Sequence, residues 1–236
     1  MKIVFLLLFF TLPLSARSLF VKTQGDSRNA SVILIHGSPG TSETFARLFS
    51  VPSLDHFYLQ APDRPGYGKS HPGHSVTSLS DQARLVAESM DHTSVIVGYS
   101  YGGAVAVKLA LLYPEKVKAL ILLAPALNPE LEKLKWWQSP AYISIIRNLL
   151  PSDARVSMEE SIALPSFLHE LALNEIKVPV VYVQGLKDKT VSLKTADYVK
   201  EHFTGTHVSF HLMENIDHHL PEKIPALIAG LIEEQI

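Results

Sequence analysis

Apolar positions along this chain fall into short solid runs and longer periodic ones. Ser31-Val32-Ile33-Leu34-Ile35 and Ser94-Val95-Ile96-Val97 are solid, and so are Val117–Leu123 and Val178–Val183. Runs of that length predict strands buried on both faces. Leu19–Gln24 predicts a short edge strand, and His56–Gln60 and Val208–Leu212 two further strands. Between them, Leu79–Met90 carries apolar residues at helical spacing, with Ser78 or Ser80 available as its cap. Ala104–Leu112 predicts a second helix, stopped near Tyr113-Pro114. Thr195–Phe203 and Ile224–Glu234 predict two more. Strands alternating with helices give the α/β class, a mostly parallel sheet flanked by helices. From Ala126 to about Glu175 the alternation breaks into helical pieces, prolines and the pair Trp136-Trp137. That stretch predicts a small helical cap inserted at about 126–175 into a domain spanning 19–236.

Residues 1–18 follow another pattern. Met1-Lys2 precedes the apolar stretch Ile3–Leu14 and a small-residue exit, Ser15-Ala16-Arg17-Ser18. This is the layout of a secretory signal peptide cut after Ala16 or Ser18, and it predicts export. The stretch is shorter than the roughly 20 apolar residues of a spanning helix, so no stable membrane span is expected after cleavage; an uncleaved anchor is the alternative. Composition narrows the picture further. The 236 residues are 47% hydrophobic, enough for one domain with a sizeable core. Lys and Arg total 21 against 23 Asp and Glu, so there is no basic excess for nucleic acid. Cysteine is absent, which excludes disulfides, thiolate metal sites and a cysteine nucleophile. Asn29-Ala30-Ser31 is a glycosylation sequon, meaningful only in a eukaryotic secretory pathway.

The chemistry concentrates at Gly98-Tyr99-Ser100-Tyr101-Gly102-Gly103, between a predicted strand and a predicted helix. A strand turning sharply into a helix through G-x-S-x-G lifts the serine hydroxyl onto an exposed, strained apex. The helix N-terminus behind it points N–H groups at the same place, where they favour negative charge. The segment offers a nucleophile and an anion site a few residues apart.

Other motifs stand in a fixed order around it. His36-Gly37-Ser38-Pro39-Gly40 and Asp63-Arg64-Pro65-Gly66-Tyr67-Gly68-Lys69-Ser70 precede it; Gly185-Leu186-Lys187-Asp188 and Asp217-His218-His219-Leu220-Pro221 follow it. Together they resemble the α/β-hydrolase superfamily over roughly residues 19 to 236. The resemblance implies the α/β-hydrolase fold and a triad in chain order Ser, acid, His. Ser100 is then the nucleophile, Asp188 the orienting acid and His218 the base. His218 has Pro221 three positions on, at the family's offset. The family's usual glycine before the histidine is replaced by Asp217, and His219 is the alternative base. Asp217 is a fallback carboxylate, adjacent to His218 in sequence and badly placed to reach its ring. A metal site of His218, His219 and Asp217 has no further ligand pattern behind it. The oxyanion hole is expected from the N–H groups of Ser38 and Tyr101; Pro39 has no N–H to offer. His36 is expected to tie its loop by hydrogen bonds, and Asp63-Arg64 to form a pair in a structural turn.

These expectations converge on an exported serine hydrolase that cleaves a small-molecule carboxylic ester with an apolar part and needs neither metal nor organic cofactor. Trp136 and Trp137 are candidate substrate-contacting residues. Other chemistries of the same fold stay open: a prolyl-type aminopeptidase, a carbon–carbon hydrolase or a cofactor-free haloperoxidase-like enzyme. An aminopeptidase would need acidic cap residues for a substrate ammonium. Glu159, Glu160 and Glu170 are candidates, and exposed helix faces explain them equally well. The non-enzyme alternative is a binding protein with an idle triad. The oligomeric state is left open.

Overall fold

In the computed structural model, which describes residues 18–132 and 149–236, the apolar runs pair side by side. Most of the signal-peptide segment and the Trp136-Trp137 pair lie outside the described residues. The strands are β1 (Val21–Gln24), β2 (Ser31–Ile35), β3 (Tyr58–Pro62), β4 (Ser94–Tyr99), β5 (Val117–Leu123), β6 (Val180–Gly185) and β7 (Val208–Met213). They form one sheet in the order β1-β3-β2-β4-β5-β6-β7. Only the β1–β3 pairing is antiparallel; the others are parallel.

The helices are α1 (Leu79–Glu88), α2 (Tyr101–Leu112), α3 (Ser152–Leu168), α4 (Lys194–His202), α5 (Leu220–Lys223) and α6 (Pro225–Glu233). Successive strand residues point to opposite faces, and the core divides accordingly. Ile33 and Ile35 of β2 pack with α1, α2 and α4, whereas Val32 and Leu34 pack with α6 and the short 3-10 turns that carry Phe45 and Leu48. Ser78 caps α1 by accepting from Asp81 N. α3 lies between β5 and β6 in the chain, and its Leu164 and Leu168 join the face of α1 and α2.

Boundaries differ from the sequence expectation where proline and ladder geometry intervene. β6 begins at Val180 rather than Val178, because Pro179 has no N–H for the ladder. β3 runs on to Pro62, since its last residues pair with Lys22 and Val21 of β1. α2 starts at Tyr101, three residues before the expected Ala104.

The strand order places the site. The chain leaves β2 for β3 on one side, then crosses to β4 on the other, so β2 and β4 are neighbours in register, with Ile35 opposite Gly98. In open α/β sheets the crevice at such a switch point, beyond the strands' carboxyl ends, is where ligands bind. The segments running out of β2 and β4 are His36–Gly40 and Ser100.

Candidate active site

Ser100 occupies the apex between β4 and α2 with φ 53° and ψ −121°. That backbone is costly for a residue with a side chain, about 1–3 kcal/mol. Three backbone hydrogen bonds hold it there. Ser100 N donates to Leu123 O, and Ser100 O accepts from Gly103 N and Ala126 N. The glycines make the turn sterically feasible. A Cβ on Gly102 would lie 2.2 Å from Ile35 O, and one on Gly98 2.7 Å from Gly102 O. The elbow is thus pressed against the end of β2.

His218 follows β7 and reaches back to this apex. The Ser100 hydroxyl donates to His218 Nε2 at 3.1 Å. His218 Nδ1 donates to Asp188 Oδ2 at 2.8 Å, on the loop after β6. The other carboxylate oxygen of Asp188 accepts from Thr190 N and Val191 N, which fixes its orientation. Burial pushes the Asp188 carboxyl up, but its hydrogen bond to His218, the charge there and the two N–H groups outweigh this and hold it below its ordinary value. Its side chain is fully enclosed, although Lys187 and Lys189 on either side are exposed. The tilted Tyr99 ring, 5.1 Å from that of His218, closes one side.

His219 points elsewhere. Its Nδ1 lies 3.3 Å from Asp217 Oδ1, and its side chain is mostly exposed. Asp217 also accepts from Lys223 Nζ and His219 N, and those bonds hold its carboxyl well below the ordinary value. The structure therefore brings Ser100, His218 and Asp188 together and turns His219 and Asp217 toward solvent. Among the described residues no group of three metal-ligating side chains is arranged to hold an ion.

The loop after β2 faces the serine. A Cβ on Gly37 would lie 3.0 Å from Ser100 Cβ. Tyr101 is the first residue of α2, so its N–H has no acceptor within the helix. A cavity of about 530 Å³ opens over the serine, lined by Ser38, Thr44, Arg47, Tyr99, Ser100 and His218 among others. That volume lies within the range of small-molecule sites. Trp136 and Trp137, expected to contact substrate, lie outside the described residues.

Two expectations are overturned beneath the loop. Asp63 does not pair with Arg64; it accepts from Ser42 N and Lys69 N, closing its turn. The partner of Arg64 is Glu160 on α3, and both side chains are fully buried. Glu160 therefore lies on no exposed helix face and is not free to bind a substrate ammonium. Glu159 accepts from the Ser75 hydroxyl, and only Glu170 of the three is exposed. A weak sequence signal existed: Val156, Glu160, Leu164 and Leu168 recur every four residues, which puts Glu160 on the buried stripe of α3. His36 ties its loop as expected, donating from Nδ1 to Gly37 O and accepting Arg64 N–H at Nε2. Burial and the Arg64 charge push its imidazole well below the ordinary value, so it stays neutral. Glu132, after β5, was also missed. Burial and then the charge of Asp188 push its carboxyl up to about 7.

The comparisons with known proteins agree with this architecture. A family model described as the alpha/beta hydrolase fold matches residues 30–144. Over 218 residues the chain is 30% identical to a pimeloyl-[acyl-carrier protein] methyl ester esterase of Cronobacter sakazakii, covering 88% of this chain and 82% of that protein. The chain belongs to the α/β-hydrolase family. Among solved structures, this hydrolase superposes on the N-acyl homoserine lactonase AidH with a TM-score of 0.71 at 20% identity, covering 93% of each chain. A Paleococcus ferrophilus monoacylglycerol lipase gives 0.69 at 17% identity, covering 93% of this chain and all of that one. Those two likenesses speak to the fold. As an α/β-hydrolase, the chain is a hydrolytic enzyme. Among the described residues no helix is long and apolar enough to cross a membrane.

Proposed function

We propose that this hydrolase cleaves carboxylic esters through an acyl-enzyme on Ser100. The observation that carries the reading is a single imidazole, His218, bonded to Ser100 Oγ on one nitrogen and to Asp188 on the other. A serine hydroxyl is a poor nucleophile until a base takes its proton. His218 Nε2 takes that proton as Ser100 Oγ attacks the ester carbonyl. It then gives it to the departing alkoxide, which leaves as the alcohol. Asp188 fixes the tautomer that leaves Nε2 free to accept, and stabilises the imidazolium that forms. The N–H groups of Ser38 and Tyr101 serve the tetrahedral oxyanion; losing one such donor typically costs about 100- to 1000-fold in turnover. Water, deprotonated by His218, then attacks the acyl-enzyme, releasing the acid and regenerating Ser100.

Ester rather than amide chemistry is supported by the methyl ester esterase similar to this chain. Engagement of Glu160 with Arg64 also removes one acidic group that an aminopeptidase reading would use. A small or medium acyl or alcohol part suits the cavity volume. The test is a fluorophosphonate probe together with a substrate panel. Wild-type protein is expected to be labelled and Ser100→Ala unlabelled. Methyl and p-nitrophenyl esters of rising chain length should turn over faster than proline and alanine arylamides. Unlabelled wild-type protein, or labelling that survives Ser100→Ala, overturns the mechanism. Preference for the arylamides overturns the ester assignment.

A further inference from the structure

Beneath the site lies a buried polar network that the acyl-enzyme steps do not use. Its centre is Arg64, fully enclosed and seated over the rings of Tyr67 and Tyr101 at 5.0 and 4.5 Å. Its guanidinium donates in two directions. Nε donates to His36 O and Nη2 to Gly37 O, both at 2.9 Å. Nη1 donates to Gln82 Oε1 and to Glu160 Oε1, and Nη2 also to Glu160 Oε2. Glu160 further accepts from the Tyr67 hydroxyl at 2.7 Å and from Gln82 Nε2 at 3.1 Å. The Tyr67 oxygen in turn lies 2.8 Å from Ser38 Oγ, which is 3.0 Å from Ser157 Oγ of α3.

The direction of these bonds carries the argument. The peptide joining Gly37 to Ser38 is trans, so its C=O and N–H point opposite ways. With Gly37 O held by Arg64 and His36, the Ser38 N–H must point away from the guanidinium. A donor on one end of a peptide also polarises the N–H at the other. Arg64 thus aims and strengthens the expected oxyanion donor of the β2 loop. It also packs against Tyr101, whose N–H is the second. An unpaired guanidinium cannot stay in a dry interior at acceptable cost, so Arg64 holds this position because Glu160 is there.

We propose that Glu160 is a positioning residue for the oxyanion hole: α3 carries the carboxylate that locks Arg64 onto the Gly37–Ser38 peptide and, through Tyr67, holds the Ser38 side chain. Seating α3 and aiming the oxyanion donor are then one event. The inference rests on the hydrolase reading of Ser100, but its test separates the two.

The full chain is compared with Glu160→Gln and Tyr67→Phe, each checked for folding by circular dichroism. Readouts are p-nitrophenyl acetate kinetics and inhibition by an alkyl trifluoromethyl ketone, whose serine adduct places an oxyanion in the hole. Because a misaimed donor loses part of the contribution of a whole one, Glu160→Gln should lower kcat by about 10- to 100-fold while KM stays within about threefold. The ketone inhibition constant should rise by a similar factor, an effect that a general loss of folded protein would not produce. Folded Glu160→Gln with near wild-type kcat, or a loss confined to KM with ketone inhibition unchanged, overturns the proposal. Should Glu160→Gln not fold, Tyr67→Phe decides, since it leaves the Arg64–Glu160 pair in place. A matched loss of about 3- to 10-fold in kcat and in ketone affinity supports the inference, and wild-type values of both overturn it. Wild-type protein that the fluorophosphonate leaves unlabelled refutes the serine mechanism itself, a result distinct from any variant's behaviour.

Discussion

Two adjacent histidines with different neighbours make the residue scale decisive. His218 bridges Ser100 and Asp188, while His219 meets Asp217 in solvent. His218→Ala should abolish p-nitrophenyl acetate turnover and His219→Ala should keep most of it; the reverse result would reassign the base. Asp188→Asn leaves the shape but disfavours the needed tautomer, and a drop in kcat of about 10⁴-fold is expected. Glu132 gives a pH signature. Its carboxyl is pushed up from 4.5 to about 7 in the folded state, so its ionisation opposes folding as pH rises from the unfolded value through 7. Glu132→Gln should therefore nearly match the wild type in urea unfolding at pH 4 and exceed it at pH 8, by about 1–3 kcal/mol. A gap that does not widen with pH would dismiss the idea. Ser100, His218 and Asp188 stood out in the sequence because each sits in a short local motif. Glu132 did not, and Glu160 stood out only as an acidic residue of the expected cap, because the role of each is set by groups distant in the chain.

Elements were legible where a solid apolar run met a chain breaker, and less so where pairing partners set the ends. β2, β4 and β5 fall where their runs predict. β3 is displaced toward Pro62 because β1 supplies its last partners, information absent from residues 56–60. The 3-10 turns between β2 and β3 have no periodic signature at all. The strand-turn-helix unit around Ser100 yields a pair of contrasting predictions. Gly102→Ala would put a methyl 2.2 Å from the β2 backbone and should cost about 3 kcal/mol in chemical denaturation. Gly230→Ala in α6 meets nothing within 4 Å and should stabilise by about 0.5–1 kcal/mol, since alanine suits a helix interior better. Equal effects of the two would mean that crowding at the elbow is not what selects glycine there.

At the scale of the molecule, a single sheet divides two apolar clusters and no cysteine is available to brace them. Thermal unfolding should be indifferent to reducing agent, and a calorimetric midpoint that moves with dithiothreitol would contradict this. The parallel order of the sheet has a kinetic consequence. Ser31 pairs with Ser94, and Val180 with Val208 at the far side. Ser100 follows β4, Asp188 β6 and His218 β7, so none of their mutual distances exists until strands far apart in the chain have found register. A slip of one residue shifts a strand by about 3.3 Å and turns each side chain to the other face. Hydrogen bonds of 2.8 and 3.1 Å tolerate no such error. Recovery of turnover during refolding should therefore lag behind recovery of helical signal and collapse, appearing only when the last of these pairings locks. In a refolding mixture, turnover would count correctly registered molecules and be blind to every compact but misaligned one.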